Sequence, residues 1–277
     1  MARFPAPPTL AKTQVAFSRE RLALFASYDN GVLYWQMQFD PYPGNGGSIT
    51  LQEPAMIDAL AISADGSLIA TGDDAGRIQV WDGYDLKSLA TIDAHAGNVA
   101  ALVFSGNGHH LISAGEDGRA VAWNLLTRQP EMQFSAVSGT LSAVALTQDG
   151  SQLAVGNEAG QVVLLRPETG ARISSPPALD AQITSLGFNA DNSWLAIGTA
   201  AGEFHIWHQR EQRLRLITET DSDLGHLRIA TRGRDQALVV RGHAELWEVE
   251  PGQRLRGFGS RLTETFNAGL LGPELVY

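Results

Sequence analysis

The chain has no cysteine among its 277 residues. This absence excludes disulfide bonds, thiolate catalysis and cysteine-ligated zinc. It also has no apolar run of the roughly 18 residues that a membrane helix needs, and the N-terminal MARFPAPPTLAK lacks the apolar core of a secretory signal. We therefore expect a cytoplasmic protein that does not bind membranes.

Basic residues are scarce as well. The sequence carries 20 Lys and Arg against 30 Asp and Glu, which gives a net charge of -10. Nucleic acids and anionic membranes both reward basic surfaces, so this balance argues against either partner. Most of the acid excess lies in residues 1–200, which hold 10 basic and 19 acidic residues. A basic partner is the class that this charge favours.

A 42-residue repeat runs from about Met56 to Trp207 without insertion or deletion. In register it reads MIDALAIS…DG…IATG…GRIQVWD, NVAALVFS…NG…LISAGEDGRAVAWN, TLSAVALT…DG…LAVG…GQVVLLR and QITSLGFN…DN…LAIG…GEFHIWH. Repeats of roughly 20 to 50 residues are typical of solenoids and propellers, because each repeat buries its apolar face only against its neighbours. Function is then expected on the assembled surface.

Each repeat contains three strong strand signals and a weaker fourth. The first strand is apolar and small, as expected for an innermost strand covered on both faces. A tight turn follows at Asp65-Gly66 and its equivalents, and a second turn is fixed by Gly76 and its equivalents. The third strand closes on Trp81, Trp123, Leu165 or Trp207. Four antiparallel strands per repeat are typical of a propeller blade.

These residues resemble the WD-repeat β-propeller family, whose blades carry a Gly-His pair, a turn like Ser-Pro-Asp-Gly and a closing Trp-Asp. The best match has Ala94-His95, FSGNG at 104–108 and Trp123-Asn124, and Trp81-Asp82 is the one literal Trp-Asp. The resemblance covers roughly residues 11–259. It implies an all-β propeller of four-stranded antiparallel blades that acts as an assembly platform.

The repeat count gives the expected domain organisation. Trp35 and Trp247 mark outer repeats, which makes six clear repeats over residues 11–259. A Pro-rich arm at 1–10 precedes them, and residues 260–277 form a partial seventh repeat or a tail. The first repeat has a longer loop at 39–48, and we read its GNGG (44–47) as flexible. Closure by six or seven blades stays open, and the chain could be a module of a longer protein.

One polar set stands out in the third repeat. His95, Ser113 and Asp117 have the residue types of a catalytic triad, but Ser113 lacks a nucleophile elbow. With Trp123, these positions resemble the buried hydrogen-bonded tetrad of WD repeats, so we assign them a structural role. Thr71, Val155 and Ile197 occupy the Ser113 position in other repeats, and those repeats are expected to rely more on packing.

No catalytic, cofactor or metal site is predicted. His109-His110 are adjacent on a strand and point to opposite faces, and His205 and His208 flank Trp207, so neither pair chelates one ion unaided. We therefore predict no cofactor.

Acidic residues cluster on the loops that enter each repeat and on the second turns. This candidate partner-binding face comprises Asp29, Asp73, Asp74, Asp93, Glu116, Glu158, Asp180, Asp221 and Asp223. The opposite face mixes arginines such as Arg210 and Arg213 with fewer acids.

The sequence thus favours a non-catalytic scaffold that presents loops to a protein or peptide, of basic character if the acidic face binds it. The alternative is an enzyme or small-ligand sensor that uses the central channel. Small apolar first strands argue against that alternative, because they leave few acids or bases to line a channel.

Overall fold

The residues that the computed structural model describes form twenty-four β-strands, arranged in six antiparallel sheets of four. It describes the backbone of residues 15–18, 23–28, 31–36, 46–50, 55–134, 137–218, 228–232, 236–241, 243–249 and 252–258. Side chains are described for residues 32, 55–134, 137–218, 236–237, 247–249 and 252–255. Within these ranges no segment is helical, so none offers a helix that could cross a membrane.

The chain divides into two compact units, residues 1–117 with 121–131 and residues 118–120 with 132–277, and the division passes through the third sheet. The first sheet contains β1 (Val15–Ser18), β2 (Ala23–Tyr28), β3 (Gly31–Gln36) and β4 (Gly46–Thr50). The second contains β5 (Ile57–Ile62), β6 (Leu68–Asp73), β7 (Arg77–Asp82) and β8 (Ser88–Asp93). The third contains β9 (Val99–Phe104), β10 (His110–Gly115), β11 (Ala120–Asn124) and β12 (Gln129–Phe134).

The later sheets repeat this order. The fourth contains β13 (Leu141–Leu146), β14 (Leu153–Asn157), β15 (Val162–Leu165) and β16 (Arg172–Ser174). The fifth contains β17 (Ile183–Phe188), β18 (Trp194–Thr199), β19 (Phe204–His208) and β20 (Arg213–Thr218). The sixth contains β21 (Arg228–Arg232), β22 (Gln236–Arg241), β23 (His243–Glu248) and β24 (Gln253–Phe258). Within each sheet, each strand pairs with the next along the chain, which confirms the all-β prediction of four-stranded antiparallel blades.

The first turn of a sheet, between its first two strands, has the backbone that the sequence predicts. Gly66, Gly108 and Gly150 have φ near +70°, and Asn192 at the equivalent position has φ +58°. Asn accepts this left-handed conformation better than most residues with a side chain. The turn therefore survives in the fifth sheet without glycine.

The second strands form the centre of each sheet's core. One apolar side chain in each of four sheets is fully buried at the same point of the repeat: Ile69, Leu111, Leu153 and Leu195. Within the first compact unit β5 contacts β9, and within the second β13 contacts β17. Neighbouring first strands thus pack side by side, as expected for the innermost strand of a blade.

Consecutive sheets meet closely where a second strand carries glycine. A Cβ on Gly72 of β6 would lie 2.5 Å from the Val99 side chain at the start of β9. A Cβ on Gly156 of β14 would lie 2.7 Å from Ile183 at the start of β17. Both positions belong to the same register, so the absence of a side chain there lets one sheet approach the next.

One loop prediction is wrong in part. The GNGG segment was expected to be a flexible loop, but Gly46 and Gly47 begin β4 and pair with Trp35 and Tyr34 of β3. Backbone pairing with a neighbouring strand overrides the turn preference of glycine here. Residues 1–10 and 260–277 lie outside the described residues, so the arm and the partial seventh repeat stay predictions.

Candidate functional site: a buried polar network and acidic loops

A chain of hydrogen bonds joins four side chains of the third repeat. His95 lies in the entry segment, the stretch that leads into the first strand of a sheet, and its Nε2 is 2.7 Å from Oγ of Ser113 on β10. Its Nδ1 is 2.9 Å from Oδ1 of Asp117 in the second turn. The indole N–H of Trp123 on β11 donates to Ser113 Oγ over 2.8 Å. The network thus ties entry segment, second turn and two strands together.

The donors fix the proton positions in this network. An indole nitrogen can only donate, so the Ser113 hydroxyl accepts from Trp123. The carboxylate of Asp117 can only accept, so Nδ1 of His95 carries a proton and donates to Asp117. In the neutral imidazole, Nε2 then accepts the Ser113 hydroxyl proton. Asp117 also accepts from the backbone N–H of Ala96 over 3.0 Å through its second oxygen. Every polar group in the series has a partner.

This arrangement has the residue types of a hydrolase triad, but its serine is not accessible to a substrate. Ser113 has no exposed surface and lies inside β10, and its hydroxyl already accepts an indole proton. A serine nucleophile needs an exposed Oγ and nearby donors for the developing oxyanion. A substrate cannot reach Ser113 while the sheet is intact, and the geometry supports the structural assignment.

Gly115 is a participant that the sequence reasoning missed. A Cβ on this residue would lie 2.4 Å from Nδ1 and 2.5 Å from Cγ of His95. The imidazole therefore occupies the space that a side chain at position 115 would fill. The signal was available in the alignment of repeats, because the equivalent residues Asp73, Asn157 and Thr199 all carry side chains where no histidine enters.

Other sheets keep only parts of the network. In the second sheet the indole N–H of Trp81 donates to Oγ1 of Thr71 over 3.1 Å. In the fifth sheet Ile197 takes the hydroxyl position, and Nε1 of the buried Trp207 has no partner among the described residues. A buried polar group without a partner costs about 1 to 3 kcal/mol. Packing around Ile197 has to offset that loss.

Asp73 is the one described member of the predicted acidic face that is buried. Its carboxylate accepts from the backbone N–H groups of Ala75 and Arg77 at 3.0 and 2.8 Å. It also accepts from Nε of Arg77 at 3.0 Å, and its side chain is 6% exposed. These bonds hold the second turn together, so the turn presents Asp74 to solvent rather than Asp73.

The remaining described carboxylates of this face are exposed: Asp74, Asp93, Glu116, Glu158 and Asp180. Two of them are held by entry segments within the first compact unit. Asp74 accepts from the backbone N–H of Met56 at 3.1 Å, and Glu116 accepts from that of Asn98 at 3.4 Å. In the second and third sheets, the second turn and the entry segment therefore lie together and present acidic side chains.

Three predicted members, Asp29, Asp221 and Asp223, lie outside the described residues. The nearby Arg77 is bound to Asp73.

The chain matches a known family through its second and third repeats. A model of the WD domain, G-beta repeat, matches residues 48–82 and again residues 86–124. Both matched segments are WD repeats, as the sequence resemblance predicts. A comparison with curated proteins found no match to the sequence. The matched segments end at Trp81-Asp82 and Trp123-Asn124, the positions on which the sequence resemblance rested.

Two other histidines, His110 and His205, each pair with a single carboxylate. Nε2 of His110 is 2.8 Å from Oε2 of Glu131, and Nε2 of His205 is 3.1 Å from Oε2 of Glu203. Among the side chains that the structure describes, no group of three His, Asp or Glu is placed to hold a metal ion.

Proposed function

We propose that this WD-repeat protein is a non-catalytic platform that binds a protein or peptide partner through the exposed carboxylates of its second turns and entry segments. WD repeats generally serve as protein-interaction surfaces, and the partner class proposed here is a basic segment. The observation that carries the proposal is the repetition of Asp74, Glu116 and Glu158 at one position of successive repeats, each exposed.

The loops that bear these carboxylates are held in place, which favours recognition over chemistry. The carbonyl of Gly76 accepts from the N–H groups of Ala94 and His95, and that of Gly160 accepts from Leu179. A surface whose backbone is already ordered loses less entropy when a partner binds.

A catalytic reading has weaker support. The hydroxyl, imidazole and carboxylate that could act together are Ser113, His95 and Asp117, and all three are already hydrogen-bonded within the buried network. WD-repeat folds are typically non-enzymatic, which agrees with this use. We also propose a cytoplasmic location, no nucleic-acid or membrane partner, and a repeat domain over residues 11–259.

The experiment is affinity capture with the full chain as bait, followed by mass spectrometry. The test variant carries Asp74→Asn, Glu116→Gln and Glu158→Gln. The matched control carries Asp85→Asn, Glu168→Gln and Glu211→Gln, which remove the same charge from exposed turns between third and fourth strands. A partner lost with the test variant and kept with the control supports the proposal. Equal capture by both variants contradicts it.

A further inference from the structure

The last strand of the fourth sheet is cut short. β16 has three residues and pairs with β15 only at Leu164↔Ser174 and Leu165↔Arg172. In the second sheet the equivalent strands β7 and β8 pair at five positions, from Trp81↔Ser88 to Arg77↔Asp93. The fourth sheet therefore lacks the pairing that Val162, the first residue of β15, would make with β16.

Among the described residues, no strand pairs with the backbone of Val162 on that outer side. The carbonyl of the preceding residue, Gln161, accepts from Asn157 and so faces β14. Backbone groups of an antiparallel strand alternate between its two neighbours, so those of Val162 face the β16 side. The equivalent Ile78 pairs there with Ile92. Continuing the register from Leu164↔Ser174 places Pro176 opposite Val162, and proline has no N–H to donate.

The segment after β16 also bows away from the sheet. It takes five residues from Ser174 to reach Leu179, whose N–H binds the carbonyl of Gly160. In the second sheet the equivalent carbonyl of Gly76 already accepts from Ala94, four residues after Ala90, as well as from His95. A cleft of about 280 Å³ lies at this point, and it is lined by Ser138, Gln161, Val162, Arg172, Ser175 and Pro176 among others.

Val162 is 3% exposed, so its outer N–H and C=O are nearly removed from bulk solvent. Buried backbone groups are almost always hydrogen-bonded, to protein, to ordered water or to a ligand. An extended peptide can satisfy both groups of one strand residue at once, as it does when it adds to a sheet edge.

The charge of the cleft favours a peptide with an acidic side chain. Its lining contains one guanidinium, Arg172, and no carboxylate. Nε of Arg172 donates to Oγ of Ser175 over 2.7 Å, which holds the side chain beside the cleft. No carboxylate pairs with this arginine among the residues that the structure describes. Arginine binds carboxylates in a bidentate fashion, with two parallel N–H donors.

We propose that this cleft binds an extended peptide segment with an acidic side chain, whose backbone pairs with Val162 and whose carboxylate binds Arg172. The site is separate from the acidic loops and takes a partner of opposite charge, so it goes beyond the function proposed above.

The test uses the full chain labelled with ¹⁵N and an N-acetylated, C-amidated pentapeptide, Thr-Glu-Val-Glu-Thr. We expect this peptide to shift the Val162 amide signal and to slow its hydrogen exchange. Arg172→Gln should weaken binding about tenfold, as expected for loss of one charge-assisted pair. The matched variant Arg210→Gln removes an exposed arginine elsewhere in the same compact unit and should leave the affinity unchanged.

Two further arms separate the sources of binding. The neutral peptide Thr-Gln-Val-Gln-Thr should bind about tenfold more weakly, and acetate alone should leave the Val162 amide unshifted. Pro176→Ile with deletion of Pro177 restores the spacing of the second sheet and should abolish binding. Equal affinity for the two peptides, equal loss in Arg172→Gln and Arg210→Gln, an acetate response equal to the peptide's, or a silent Val162 amide would each overturn the proposal.

Discussion

His95 and Gly115 occupy one space: a Cβ on residue 115 would lie 2.4 Å from the Nδ1 atom that binds Asp117. The glycine is therefore part of the polar network, although it has no side chain to contribute. Any substitution there has to displace the imidazole that links the entry segment to Ser113.

The first prediction is a coupling between these two positions. Gly115→Ala should lower the free energy of unfolding by about 1 to 3 kcal/mol, because overpacking forces the imidazole off its bonds. In a His95→Ala background the same change should cost clearly less, because the clash is gone. Denaturant unfolding of the four proteins in this double-mutant cycle measures the coupling. Additive effects would show that Gly115 does not support His95.

The second prediction concerns Asp117. Asp117→Ala removes the acceptor for Nδ1 of His95 and for the N–H of Ala96, and should cost about 1 to 3 kcal/mol. Glu158→Ala, on an exposed turn, should change stability by no more than about 0.5 kcal/mol. Denaturant midpoints compare the two, and equal shifts would refute the structural assignment.

The third prediction restores a missing bond in the fifth sheet. Ile197→Thr places a hydroxyl where Thr71 stands in the second sheet, within reach of the unpaired indole N–H of Trp207. The control is Ile197→Val, because valine has the shape of threonine without the hydroxyl. This change should lower the free energy of unfolding by about 0.5 to 1.5 kcal/mol. We expect the Thr variant to be about 1 kcal/mol more stable than the Val variant. A less stable Thr variant would mean that the hydroxyl does not reach the indole.

The fourth prediction follows from Asp149 in the first turn of the fourth sheet. Hydrogen bonds from the Thr147 side chain and from the Ser151 N–H and hydroxyl lower the pKa of Asp149 from 3.8 to about 2. A carboxyl with a lowered folded-state pKa stabilises the fold above its unfolded pKa, and this contribution is lost as pH falls toward the folded pKa.

Asp149→Asn is a clean test, because Asn107 accepts equivalent bonds in the third sheet. The stability difference between wild type and this variant should be constant above about pH 5 and should shrink between about pH 4 and pH 2. Thermal unfolding across this range measures it. A difference that does not change with pH would mean that the charge of Asp149 makes no contribution.

Much of the fold could be predicted because the same residue pattern recurs from repeat to repeat. Equivalent positions, such as Ile69 and Leu111 or Gly66 and Gly108, recur every 42 residues. The sequence therefore indicates the same turn and the same buried position several times. The polar network was predicted from the same register through His95 and Trp123. What depends on a single residue without a repeat signal was missed, as with the glycines that begin β4.

Contacts within a turn could not be predicted from the sequence either. Asp73 and Asp74 are adjacent acids on one turn, and the pattern gave no reason to separate them. The separation arises because Asp73 ends β6 and points into the turn, where backbone N–H groups and Arg77 converge. Likewise, the open edge at Val162 depends on the exact register of β16, which the weak fourth-strand signal did not specify.

The contrast between Asp73 and Asp74 supplies the last prediction. Asp74→Asn should slow association with a basic partner identified by capture, and Glu116→Gln and Glu158→Gln should slow it further. Asp73→Asn should leave the association rate nearly unchanged and instead lower stability, because its carboxylate holds the turn. Exposed charges act on encounter more than on final affinity.

Association rates at low and physiological salt measure this effect. The loss caused by Asp74→Asn should fade as salt shortens the screening length to about 8 Å, because steering by exposed charges is then damped. Unchanged rates in all three exposed variants, together with lost binding after neutralisation of Arg210 and Arg213, would move the partner site to the turns on the opposite face. A loss of rate in Asp73→Asn equal to that in Asp74→Asn would mean that turn geometry, rather than surface charge, guides the partner.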